Sequence, residues 1–156
     1  MAIEKVRKYF EKYGMQERII EFEASSATVK EAAVAANCSE GEIGKTLSFI
    51  VDDKPILIVV AGDAKINNGK YKAKFHTKAK MIPYDMVEEL IGHAVGGVCP
   101  FGINENVGVY LDVSLKRFLQ VYPACGSSNS AIKLTIEELE NTSGYIEWVD
   151  VCSVIQ

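Results

Sequence analysis

The sequence predicts an α+β fold: a mixed, curved, barrel-like β-sheet flanked by short helices, in a single domain over residues 1–156. Short runs rich in Val, Ile, Leu, Tyr and Phe recur along the whole chain, as strands require. They alternate irregularly with short amphipathic stretches, without the regular βαβ rhythm of a parallel sheet. A chain of 156 residues, 48% hydrophobic and 24% charged, is enough for one packed core and leaves little room for a second.

Taken in order, Ile3, Val6, Tyr9, Phe10 and Tyr13 recur at steps of three and four and predict a helix over 3–13, ended by Gly14. Residues 19–22 form a short apolar strand. Thr28 then caps an alanine-rich helix over 29–36, with Glu31 at the position of a capping box. Asn37-Cys38-Ser39 closes it, and Ser39 caps a turn reaching Ile43. Runs 46–51 and 55–61, joined by Asp52-Asp53-Lys54, read as a hairpin. The stretch Ile56-Leu57-Ile58-Val59-Val60 is apolar without alternation, as in a strand covered on both faces. Asn67-Asn68-Gly69 is a turn or a helix start. A strand over 79–82 and a helix over 84–91 after Pro83 come next. Further strands are expected at 108–112, 118–122, 131–134 and 145–149, and Thr135-Ile136-Glu137-Glu138 opens a last helix by the capping-box pattern.

Composition narrows the function. No apolar run approaches the roughly 18 residues of a membrane span, and the first residues lack the apolar core of a signal peptide, so a cytoplasmic protein without membrane contact is expected. Cys38, Cys99, Cys125 and Cys152 show no metal-binding spacing, and His76 and His93 add no pair. Neither a metal nor a cofactor is expected, and the thiols read as reduced and mostly buried. The net charge is −4, yet residues 64–82 hold no acid and carry Lys65, Lys70, Lys72, Lys74, Lys78 and Lys80. That is a local cationic surface, either a solvated face or a set of phosphate contacts, with Lys65, Lys70, Lys72 and Lys74 the candidates.

Three segments carry candidate chemistry. Lys45, between Gly44 and a β-rich run, is either a solvated strand-end lysine or a point charge at a pocket mouth. Gly96-Gly97-Val98-Cys99-Pro100-Phe101-Gly102 is either an ordinary tight loop or a set of backbone N–H donors for the oxyanion of an ester hydrolysis. Cys99 lacks a recognisable thiol-hydrolase context and reads as a small loop-filling residue rather than a nucleophile. Gly126-Ser127-Ser128-Asn129-Ser130 either binds a small polar ligand or is a plain turn.

In their order, Ser26-Ala27-Thr28-Val29, Lys45-Thr46-Leu47, Val59-Val60-Ala61-Gly62-Asp63, the loop 96–102 and the segment 126–132 resemble the YbaK/prolyl-tRNA synthetase-associated editing domain family. The resemblance covers about residues 22–140. It implies an editing pocket for mischarged aminoacyl-tRNA, met free or on a synthetase surface, with alanine or cysteine on tRNA-Pro the expected ester. Lys45 would hold the aminoacyl-adenosine end, and Gly96, Gly97, Val98, Cys99 and Pro100 would orient the ester. Thr28, Gly126, Ser127, Ser128 and Asn129 would line the pocket. In that family the terminal adenosine's own 2′-hydroxyl assists, so no Ser-His-Asp triad is expected. Ser128-Asn129-Ser130 stands where many relatives carry a cation. A non-catalytic module of the same fold, binding tRNA ends or a small ligand, is the alternative.

Overall fold

The computed structural model describes residues 2–154. Helix α1 (Ala2–Glu11) buries Ile3, Val6 and Phe10 on one face, and Gly14, at φ +68°, lets the chain turn back. Strand β1 (Ile19–Glu21) leads to α2 (Val29–Ala36), whose first turn is held by a complete Thr28–Glu31 capping box. Strands β2 (Ile43–Val51) and β3 (Lys54–Ala61) form the central hairpin, turned by Asp52 and Asp53, both at positive φ. Strand β4 (Ala64–Ile66) and helix α3 (Asn68–Phe75) follow, then a 3₁₀ turn and α4 (Val87–Ile91). The chain continues through β5 (Gly108–Asp112), β6 (Gln120–Pro123), β7 (Ser130–Ile132), β8 (Leu134–Thr135), α5 (Ile136–Ser143), β9 (Glu147–Val149) and β10 (Cys152–Val154).

Six strands make the main sheet in the order β8-β6-β2-β3-β5-β9. It is mixed: β2 runs antiparallel to β3 but parallel to β6, while β3, β5 and β9 run parallel. Two small antiparallel ribbons, β1–β7 and β4–β10, fold over it, giving the curled half-barrel that the sequence predicts. From Pro55 to Ala61 every residue of β3 is buried, the reason its sequence shows no alternation. The main core joins β3, β5, α1 and α5 through Val6, Phe10, Ile58, Leu111 and Leu139. Buried Asp112 pins the end of β5, accepting from the N–H groups of Ser114 and Val151 at 2.9 Å each.

Several boundaries differ from the expectation. β2 begins three residues earlier, so Lys45 lies inside the strand. The expected strand over 79–82 is reduced to one bridge, Phe49 opposite Met81. The run 131–134 splits at Lys133, β7 pairing with β1 and β8 with β6. The run 84–91 is a 3₁₀ turn before a single α-helical segment. Strands β4 and β10 carry no strand signal in the sequence; three residues each, they pair only with one another.

Candidate active site

Strand β2 loses its neighbour midway along its outer edge. It pairs with β6 only at Ile43 and Gly44. Farther on, the Ile50 N–H donates to the Lys80 carbonyl (2.9 Å) and the Ile82 N–H to the Ser48 carbonyl (3.2 Å). Between these two attachments no described strand flanks Lys45, Thr46 and Leu47 on that side, and a cleft of about 340 Å³ opens there. Its walls come from the start of α2 (Thr28, Val29, Ala32), from Tyr122 and Ala131, from Ile82 and Val87, and from the Gly/Pro loop through Gly96 and Val98. Such a mostly apolar concavity with a few polar groups has the character of a small-ligand site.

Lys45 helps form the wall, and its Nζ donates to the Ala64 carbonyl at 2.8 Å. Burial lowers its pKa, against the opposing pull of Cys152 and Asp63. An ammonium carries three donors, so Ala64 leaves two for a ligand. Asp63 itself is held by Arg117 through both carboxylate oxygens, at 2.5 and 3.1 Å. That hydrogen bonding keeps its carboxyl below the usual range.

The Gly/Pro loop and the loop 126–130 are clasped together. A methyl group on Gly97 would stand 2.5 Å from the Gly126 carbonyl carbon and 2.6 Å from the Ser127 nitrogen, so only glycine fits. Gly126, at φ +92°, has no room for a side chain either, since a methyl group there would stand 2.9 Å from the backbone of Ala2. The Gly97 N–H is already used, donating to the Ala94 carbonyl at 3.1 Å, and Pro100 has none. Among the described residues no hydrogen bond engages the N–H of Gly96 or Val98, the two loop residues on the cleft wall.

Gly97, Cys99 and Pro100 are not among the residues that line the cleft, and neither are Gly126, Ser127, Ser128 and Asn129. The last three work as a brace. The Ser128 carbonyl accepts from the Ser26 N–H (2.6 Å), the Asn129 side chain donates to the Phe22 carbonyl (3.0 Å), and Ser127 donates to Ser130 (2.7 Å). The Ser128 and Asn129 bonds tie down the segment 22–26 that leads into Thr28, and the Ser127 bond tightens their own loop. Thr28 Oγ1 in turn accepts from the Glu31 N–H at 3.1 Å.

Cys99 is fully buried, and burial pushes its thiol up to about 12. Its neighbour His93 has Nε2 2.6 Å from the Phe101 carbonyl, so that nitrogen carries the proton and cannot take one from Sγ, 3.5 Å away. The pair is therefore no nucleophile–base couple. Of the lysines over 65–80, Lys70 pairs with Asp150 and Lys74 with Glu147. Lys65 and Lys72 form no ion pair among the described residues. The feature that the sequence reading missed is Thr46: its Oγ1 is buried in the cleft region without a partner. The signal present was the small and polar alternation Gly44, Thr46, Ser48 on an otherwise apolar strand.

A family model described as the aminoacyl-tRNA editing domain matches residues 23–142. The chain is 50% identical over 153 residues to the uncharacterized protein YwhH of Bacillus subtilis (strain 168), covering 97% of this chain and 98% of that protein. It is 30% identical over 93 residues to the proline–tRNA ligase of the same organism, 59% of this chain and 16% of the ligase. A crystal structure described as a candidate trans-editing enzyme for prolyl tRNA synthetase superposes with a TM-score of 0.87 at 29% identity, over 97% of both chains. With the family model spanning most of its length, the chain belongs to the aminoacyl-tRNA editing domain family.

Proposed function

We propose that this protein is a free-standing trans-editing hydrolase that deacylates mischarged aminoacyl-tRNA, with alanine or cysteine on tRNA-Pro as its ester. One observation supports this above the rest: Thr28, Lys45, Gly96 and Val98, far apart in sequence, meet around one cleft of about 340 Å³. A cleft of that size and apolar character suits a small amino acid. It provides the second selection step that a synthetase needs when one methylene is worth only about 1–3 kcal/mol.

In the reaction, water adds to the ester carbonyl and the bond between that carbon and the ribose oxygen breaks. The ribose oxygen takes a proton, leaving a free amino acid and an uncharged tRNA. Lys45 would anchor the terminal adenosine with its two remaining donors, and the N–H groups of Gly96 and Val98 would stabilise the oxyanion. The terminal 2′-hydroxyl would assist, so Cys99 takes no part. The partners are the acceptor end of tRNA and a synthetase that releases the mistake, which places the protein in the cytoplasm.

The test is a deacylation panel of Ala-, Cys-, Ser- and Pro-tRNA-Pro under multiple turnover. Rapid loss of Ala- or Cys-tRNA-Pro with Pro-tRNA-Pro spared is the expected result. Binding of these tRNAs without cleavage of any ester would overturn the reading in favour of a non-catalytic module.

A further inference from the structure

Thr46 stands at the middle of the gap in the outer edge of β2, and its backbone orientation follows from strand geometry. In an antiparallel pair, a residue's N–H and C=O point to one edge and those of the next residue to the other. The Ser48 C=O and Ile50 N–H face outward, to Ile82 and Lys80. Thr46, two residues earlier, therefore faces outward too, opposite Val59 in a pair that exchanges no hydrogen bonds with β3. By then β6 has ended, since Gly44 opposite Pro123 is the last paired position. No described residue bonds the Thr46 N–H or C=O, and its buried Oγ1 is unpartnered as well. Two backbone hydrogen-bonding groups of one residue thus stand unmet on the open edge that borders the cleft, beside a buried hydroxyl that is unmet as well.

We propose that the substrate itself completes this edge. The aminoacyl group lies beside β2 as a strand of one residue: its ester carbonyl accepts from the Thr46 N–H, and its α-ammonium donates to the Thr46 C=O. A closely spaced antiparallel pair exchanges this same couple of bonds between two residues, and an aminoacyl ester carries the matching acceptor and donor on one Cα. Resting on the editing reading, the inference names the contact that orients the ester. Thr46 reads what all amino acids share, which leaves the apolar wall to read the side chain. An ester lacking the α-ammonium is then held poorly however well its side chain fits.

The experiment takes the aminoacyl-tRNA that the wild type cleaves and compares it with the same tRNA after nitrous acid deamination, which replaces the α-amine by a hydroxyl. Losing a charge-assisted hydrogen bond should lower kcat/KM by about tenfold or more. Thr46→Val, which keeps the backbone, should preserve that ratio between the two esters. Thr46→Pro removes the N–H at an outward-facing position that proline tolerates, and should lose about tenfold on the amino ester while circular dichroism stays that of the wild type. Equal cleavage of amino and hydroxy esters by the wild type would overturn the proposal whether or not Thr46→Pro folds. A Thr46→Val ratio near one would overturn it too, by moving the recognition to the side chain. Cleavage of no ester by the wild type would instead sink the editing reading beneath it.

Discussion

At the residue scale, no described cysteine, histidine or carboxylate lines the cleft, and Lys45 is its one cationic side chain. Lys45 is half-buried, its pKa lowered by that burial, and its Nζ is tethered to the Ala64 carbonyl. Cys99, the one reactive side chain in the Gly/Pro loop, is sealed in the core with its thiol proton held. Cys99→Ala should therefore leave deacylation within about threefold of wild type while costing about 1 kcal/mol of stability. Iodoacetamide should fail to label Cys99 in the native protein, a result readable by mass spectrometry. Lys45 was legible in the sequence because a lysine between a glycine and an apolar run is an odd residue in an odd place. Thr46 was not, because its importance depends on where two distant segments, 120–123 and 80–82, stop pairing with β2.

At the element scale, local chemistry was the most readable. The capping boxes at Thr28 and Thr135 and the Asp52-Asp53 turn are short-range signals, and each appears where its residues predict. β4 and β10 were silent because neither three-residue strand has an identity without the other. The two clasped loops were legible as glycines, but the clasp itself was not. Gly97→Ala should force the Gly/Pro loop off the Gly126 backbone, costing about 1–3 kcal/mol in a denaturant titration and reducing deacylation in parallel. Helix α5 supplies a pH test. Its Glu138 accepts from Arg18 at 2.7 and 2.9 Å, and that bonding depresses its pKa from 4.5 to about 2. A depressed carboxylate stabilises fully above its unfolded value and loses its effect as the pH falls through the folded one. The Tm difference between wild type and Glu138→Gln should thus be constant above about pH 5 and close between pH 4.5 and 2.

At the scale of the whole molecule, curvature makes the site. The sheet curls enough that β6 diverges from β2 after Gly44, and the loop 96–102, braced by 126–130, meets the opening that this leaves. The charge pattern belongs at this scale too. Only part of the lysine segment is available to phosphate, because Asp150 and Glu147 come from the far end of the chain to meet Lys70 and Lys74, which no local reading of residues 64–82 reveals. Lys65→Glu and Lys72→Glu should each weaken tRNA binding and flatten the plot of log K against log salt by about 1, with deacylation of saturating substrate little changed. The role of Lys45 in editing is tested most directly by multiple-turnover deacylation of Ala- and Cys-tRNA-Pro with wild type and with a folded Lys45→Ala variant. One of these esters should be lost rapidly with wild type and at least about a hundredfold more slowly with the variant, as expected when a substrate-anchoring charge is removed. Equal rates for the two proteins would contradict it.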